Sequence, residues 1–313
     1  MRDQNEVWQN NLYLQEEMLL DRAVEILGES DALEAYKYLL TEKEKIKCQS
    51  SQLYNYLYCL SAVAGKKEDA LAWLKEAIEE KGFWYRPEVF DDSDLESLRS
   101  EAIFQKCRKL SEERFLRESA KAKTICTWKS VKSRKLALVL HGNQQNIGMC
   151  RAHWDGMSDQ GYQVEYVQSG IVDSYNLYRW DEEAPIRLDK VIEEIQWDKY
   201  DSRVLCGFSA GCNEILKSIK CAKIKCEGIV LVSPWIPVIE TGMDELLEFM
   251  KDNSIWIEVI CGKKDDDCMT LAERFAEAAK EKGVQVSTRW IDGLGHQYPN
   301  CFLSCAGIGS GKV

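Results

Sequence analysis

The residues best placed to do chemistry are Gly207-Phe208-Ser209-Ala210-Gly211, a serine framed by glycines. The apolar run Val204-Leu205-Cys206 precedes them and the helical pattern CNEILKSIK follows. On a tight strand-to-helix turn the serine backbone is strained, and glycines are needed where a side chain would strike the neighbouring elements. The turn lifts the hydroxyl to the start of a helix, whose dipole favours developing negative charge. A hydroxyl is a poor nucleophile until a base takes its proton. The chain has three histidines: His296 in the glycine-rich IDGLGHQYP, His141 at the end of LALVLHG, and His153 in RAHWDG. His153 is expected on a helix as a surface or packing residue.

A third partner would be an acid that fixes the imidazole tautomer and stabilises the imidazolium. The run IWIEVICG ends in Gly262, and Lys263, Lys264, Asp265, Asp266, Asp267 and Cys268 follow. Asp265 is the first choice and Asp267 the second, with at least one of the three aspartates expected to be plain solvated loop. A tetrahedral intermediate also needs two backbone donors at its oxyanion. The Ala210 N–H, directly after the serine, is one candidate, and the Asn143 N–H, first past His141-Gly142, is the other.

These residues need a sheet to hold them. From about residue 119, short β-branched apolar runs (LALVLHG, VEYVQSG, VLCGFSAG, GIVLVSP, IWIEVICG, VSTRWIDG) alternate with helical patterns such as PIRLDKVIEEIQ and LAERFAEAAKEKG. Such alternation predicts crossover units and a mostly parallel sheet covered on both faces. Ligands then bind at the carboxyl ends of the strands, where Ser209, His141 and the aspartates stand.

Residues 1–118 are helical in pattern throughout. In KKEDALAWLKEAIEEKG, Ala70, Leu71, Leu74, Ala77 and Ile78 share one face, opposite Lys66, Glu68, Lys75, Glu79 and Lys81. The helix–Gly65–helix unit from Ser51 to Gly82 resembles a tetratricopeptide repeat through Asn55, Leu57, Gly65, Ala70, Leu74 and Ala77. A solenoid needs about three such units. The region is therefore read as a short helical domain packed on the next, giving domains of 1–118 and 119–313.

Taken together, LALVLHGNQQN, VEYVQSG with YRWDEE downstream, CGFSAG, GKKDDDC and GLGHQYP resemble the phospholipase/carboxylesterase group of α/β-hydrolases, which is related to dienelactone hydrolases. The resemblance covers about residues 124–313. It implies an α/β-hydrolase fold, a doubly wound and mostly parallel sheet, preceded here by the small all-α domain. In that fold the order along the chain is serine, acid, histidine, which selects His296 over His141 and His153. It implies Ser209, Asp265 and His296 as the triad, with Asn143 and Ala210 at the oxyanion hole. Tyr178, Trp180 and Asp181 match an aromatic-acidic stretch near the site. His141, Gln144, Phe208 and Trp235 join Tyr178 and Trp180 as candidates for the substrate pocket. Two departures stand out. Gln144 occupies a position where many relatives carry glycine. Ala210-Gly211 replaces the Gln-Gly of the thioesterase-like members, which argues against an acyl-protein substrate.

The expected activity is cleavage of a carboxylic ester, or of a thioester or amide, through an acyl-enzyme. It requires no metal or organic cofactor, because triad and oxyanion hole supply both base and charge stabilisation. The alternative is an inactive adapter that uses the helical domain to contact a protein partner or a second copy. The net charge of -11, from 52 acidic and 41 basic residues, argues against nucleic acid and anionic membranes as partners. No apolar run reaches the roughly 18 residues of a membrane span. The polar N-terminus shows no signal sequence, so a reducing, cytoplasmic setting is expected. The 13 cysteines contain no Cys-x-x-Cys pair, and those in apolar runs, such as Cys206 and Cys261, read as small buried hydrophobes. The tail AGIGSGKV fails as a phosphate loop: Ala306 stands where the first glycine belongs, and Val313 follows the lysine.

Overall fold

A computed structural model describes residues 4–47, 49–180, 188–300 and 303. Asp181 and the tail from Ala306 lie outside the described residues. Contacts divide the chain into two compact units, one of residues 1–122 with 172–178, the other of residues 123–171 with 179–313.

The first unit is built on α1 (Gln4–Glu29), α2 (Ala32–Glu42), α3 (Ser51–Val63), α4 (Lys67–Lys75) and α5 (Ala102–Ser119). Polar side chains start two of them. The Asp31 carboxylate accepts the Glu34 N–H, and the Ser50 hydroxyl accepts the N–H groups of Gln52 and Leu53, satisfying donors that a helix start leaves unpaired. The stripe read from sequence is buried at Ala70, Leu74, Ala77 and Ile78 and half-buried at Leu71, while Lys66, Glu68 and Lys75 are exposed. A single π turn, Glu76–Glu80, extends α4. Leu74 and Ile78 pack with Tyr58, Phe90 and Phe104.

The unit also holds a feature the sequence reading assigned to the second domain, residues 172–178. They form most of the hairpin of β4 (Ile171–Ser174) and β5 (Leu177–Arg179), numbered in chain order after the β1 to β3 given below. Ser174 pairs with Tyr85. The Arg86 N–H donates to Asp173 O at 3.0 Å, and the Ser51 hydroxyl donates to Tyr175 O at 2.9 Å. Backbone pairing, which leaves no mark on hydrophobic periodicity, is what attaches this segment.

The second unit is a seven-stranded sheet. Its elements are β1 (Ile125–Cys126), β2 (Lys135–Leu140), α6 (Ile147–Trp154), β3 (Tyr162–Gln168), α7 (Leu188–Glu194), β6 (Ser202–Phe208), α8 (Ala210–Ala222), β7 (Gly228–Val232), α9 (Met243–Asp252), β8 (Trp256–Gly262), α10 (Met269–Lys282) and β9 (Val286–Ile291). The strand order is β1-β3-β2-β6-β7-β8-β9. Only the two-residue edge strand β1 runs antiparallel. Both faces are covered, so alternate residues enter two cores. Leu136, Leu138 and Leu140 pack on one side with Ile215, Leu246 and Phe275. Ala137 and Val139 pack on the other with Trp154 and Met157. Each large side chain so buried is worth about 1.5–3 kcal/mol, and the strands read as continuous apolar runs for this reason.

The chain winds from β2 to β3 on one side and returns to β6 on the other. The strand order therefore reverses between β2 and β6, and a crevice opens at their carboxyl ends. His141-Gly142 follows β2 and Ser209 follows β6, which puts both at that crevice.

Candidate functional site

Ser209 sits between β6 and α8 with φ 50° and ψ −123°, a backbone state that costs a residue with a side chain about 1–3 kcal/mol. It is held there by its own N–H donating to Val232 O and by its carbonyl accepting the Cys212 N–H, both at 3.0 Å. The flanking glycines have steric causes. A Cβ on Gly207 would lie 2.9 Å from the Cys212 nitrogen, and one on Gly211 would lie 2.6 Å from Leu140 O. β2 thus presses against the start of α8. Gly142 is equally confined, since a Cβ there would meet Phe208 at 2.8 Å and the Ser209 Cβ at 3.2 Å.

His296 lies in the loop after β9. Its Nε2 is 2.9 Å from Ser209 Oγ, and its Nδ1 is 2.9 Å from Asp265 Oδ2. With Asp265 ionised, the ring proton belongs on Nδ1, and Nε2 is left to accept from the serine. The loop is fastened to the end of β8: Lys263 N–H donates to Ile291 O and Lys264 N–H to Leu294 O, each at 2.9 Å. Gly262 permits this, because a Cβ there would lie 2.6 Å from Gly295 O.

Among the three aspartates, Asp265 is 1% exposed, whereas Asp266 and Asp267 are exposed. Burial pushes the Asp265 carboxyl up. The hydrogen bond and charge of His296, the Ser233 hydroxyl and the Cys268 N–H together outweigh burial and hold it below its ordinary range. The Cys268 N–H reaches Oδ1 at 3.2 Å, and the Cys261 thiol lies 3.7 Å from Oδ2. Ser233, at φ 42° directly after β7, is one partner the sequence reading missed. Its place at a strand's carboxyl end was the available signal.

The donors expected for an oxyanion are positioned as follows. Ala210 is the first residue of α8, where N–H groups have no intrahelical acceptor. Asn143 lies exposed in the turn after β2, and its Oδ1 accepts the Trp180 N–H at 2.9 Å. The same turn is tied by Gln145, a residue not anticipated, whose Oε1 accepts the Gly142 N–H at 2.9 Å. Gln144 is exposed at φ 59°, the left-handed region that glycine enters without cost.

The other candidates serve different ends. His141 is fully buried and stacked on Trp180 at 4.5 Å. Its Nε2 accepts the Ser169 N–H, its Nδ1 faces Gly142 O at 2.6 Å, and the Trp180 indole donates to His141 O at 2.6 Å. Burial pulls the His141 pKa down to about 4, the Gly142 bond opposing. His153 lies on α6, stacked on Tyr298 at 3.7 Å. Tyr298 in turn stacks on Phe208 at 4.2 Å, and Phe208 lies 5.2 Å from the His296 ring. Trp235 is half-buried against the core that holds Ile236. Tyr178 is half-buried in the first unit's hairpin.

Among the described residues, no helix is long and apolar enough to cross a membrane. Residues 15–121 match the family model of the A/B hydrolase-like N-terminal domain. An uncharacterized protein from Bacillus cereus ATCC 10987 is 30% identical, with 92% of this chain and 95% of that one aligned at a TM-score of 0.52. The Bacillus cereus carboxylesterase is 18% identical over 62% of this chain and 95% of its own, with a TM-score of 0.44. Zea mays acyl-protein thioesterase 2 is 16% identical over 58% and 95%, with a TM-score of 0.41. No curated protein matches the chain. With its doubly wound parallel sheet and its likeness to the first Bacillus protein along nearly the whole length, the chain belongs to the α/β-hydrolase superfamily, and it carries an A/B hydrolase-like N-terminal domain ahead of the hydrolase fold.

Proposed function

We propose that the protein is a serine hydrolase of the phospholipase/carboxylesterase kind, cleaving a small-molecule carboxylic ester through an acyl-enzyme. The observation that carries this reading is the pair of 2.9 Å hydrogen bonds in series from Ser209 Oγ through His296 to Asp265. In this mechanism His296 Nε2 takes the hydroxyl proton as Ser209 Oγ attacks the ester carbonyl carbon. Asp265 holds the ring by its Nδ1–H and offsets the imidazolium charge. The N–H groups of Ala210 and Asn143 receive the oxyanion. The imidazolium then protonates the departing alkoxide, and a water activated by the same nitrogen releases the acid and restores Ser209.

Gln144 and Phe208 remain pocket candidates: the Phe208 ring lies 5.2 Å from that of His296, and Gly142, two residues before Gln144, packs against Phe208 and Ser209. His141 and Trp180 act as a buried prop for that turn, and Trp235 packs the core. Ala210 in place of the glutamine of thioesterase-like members favours an oxygen ester over an acyl-protein.

A fluorophosphonate probe scored by intact mass tests the reading. Wild type is expected to gain one adduct, Ser209→Ala none, and His296→Ala one formed on the order of 10⁴-fold more slowly or worse. A folded wild type that stays unlabelled, or a Ser209→Ala variant that labels, overturns it.

A further inference from the structure

Against the Ser209–His296–Asp265 chain lies a ligand-type group that ester cleavage does not use, the fully buried thiol of Cys268 at the start of α10. Its Sγ is 3.5 Å from His296 Nδ1, and its backbone N–H is bonded to Asp265. One sulfur, one ring nitrogen and one carboxylate oxygen from these three residues lie within 4.8 Å of one another. Ligand atoms around a tetrahedral zinc ion are about 3.3–3.6 Å apart, given Zn–S near 2.3 Å and Zn–N and Zn–O near 2.0 Å. The sulfur–nitrogen separation already matches such an edge. The 2.9 Å nitrogen–oxygen distance opens by a few tenths of an ångström once no proton is shared across it. Thiolate, imidazole and carboxylate together select zinc and similar cations over magnesium or calcium. Cys268 and Asp265 are buried, while the His296 side chain is 38% exposed, so the histidine is the one ligand of the three that solvent reaches.

We propose that Asp265, Cys268 and His296 form an inhibitory site for a thiophilic divalent cation, zinc above all. Its effect on turnover rests on the serine hydrolase reading; its existence does not. As the metal–sulfur bond forms, the Cys268 thiol gives its proton to solvent. The metal takes the place of the Nδ1 proton, which passes through solvent to Nε2, so the ring stays neutral. Nε2 then donates and no longer accepts, and Ser209 loses its base. Asp265 is engaged by the metal at the same time. Binding the cation and activating the serine are therefore mutually exclusive.

Cobalt(II) is the probe, since thiolate ligation of cobalt gives a charge-transfer absorption that needs no activity. Chelator-treated wild type is expected to take up one cobalt ion with that band, and zinc is expected to displace it. Cys268→Ser and Cys268→Ala are expected to lose the band and to bind zinc at least about tenfold more weakly. Cys221→Ser, which alters an exposed thiol, is expected to keep both. Zinc should stop fluorophosphonate labelling of wild type and a chelator should restore it, while Cys268→Ser labels at its own zinc-free rate. Absence of the cobalt band on folded wild type refutes the site, as does a Cys268→Ser protein that keeps the band or is stopped by zinc as wild type is. Failure to label in chelator refutes the hydrolase reading instead, and the cobalt spectrum still decides the site.

Discussion

Replacing Gly262 by alanine tests whether the end of β8 sets the position of His296. An added Cβ would lie 2.5 Å from the Leu294 carbonyl carbon and 2.6 Å from Gly295 O, where real Cβ atoms essentially never come within 3.0 Å. Both obstacles are backbone of the loop that carries His296, so they cannot turn aside as a side-chain tip would. Moving from 2.5 Å to that limit shifts the loop by at least about half an ångström. The 2.9 Å bond from His296 Nε2 to Ser209 then stretches toward the end of hydrogen-bond range, about 3.2 Å for a well-formed N···O bond. Since a 1 Å misplacement costs about 10²-fold, the fluorophosphonate labelling rate should fall roughly 10- to 100-fold. Overpacking of this kind destabilises by about 1–3 kcal/mol, and each kcal/mol lowers Tm by roughly 2–4 °C. Gly295→Ala is the control, because nothing lies within 4 Å of a Cβ there. It should label as wild type does. A Gly262→Ala protein that labels at the wild-type rate, or a Gly295→Ala protein equally impaired, would show that the clash does not govern the histidine.

Two further outcomes follow from the buried groups. Asp265→Asn should slow labelling by about 10⁴-fold, because the amide cannot hold the required tautomer, whereas exposed Asp267→Asn should leave the rate unchanged; equal effects would remove Asp265 from the mechanism. His141 is neutral in the folded protein down to about pH 4 but takes a proton near pH 6.5 when unfolded. The unfolded state therefore binds more protons between these values, and stability falls as pH drops from 6.5 to 4, by on the order of 3 kcal/mol for this one group. Denaturant melts at pH 7 and pH 4 should show that loss in wild type and a smaller one in His141→Gln; equal losses would mean that His141 does not titrate on unfolding.

The six runs read from the sequence are β2, β3, β6, β7, β8 and β9. The central strands β2, β6, β7 and β8 are written as apolar runs because both their faces are buried, while β3 and the half-buried edge strand β9 show only as β-branched and aromatic stretches. Gly207-Phe208-Ser209-Ala210-Gly211 was legible because two backbone contacts, with Cys212 and with Leu140, exclude any side chain at the glycines. The hairpin of β4 and β5 was not, since its tie to Tyr85 is a backbone pairing between residues about 90 apart in sequence. Cys268 and Gln145 stand three residues from Asp265 and Gly142, in loops the sequence marked, but which of their atoms turn toward the site is set by the folded loop. Ser233 reaches Asp265 only because β7 and β8 lie side by side.

What the sequence determined by itself was local: which residues fit a strained turn, which runs must be buried, and which acids and histidines follow the strands. Only the tertiary structure decided which of three consecutive aspartates is buried, which histidine reaches Ser209 and which is sealed beneath Trp180. Neighbours in sequence share a composition, yet a side chain's burial and partners depend on segments that arrive from elsewhere. For Asp265 those segments are the His296 loop and the end of β7.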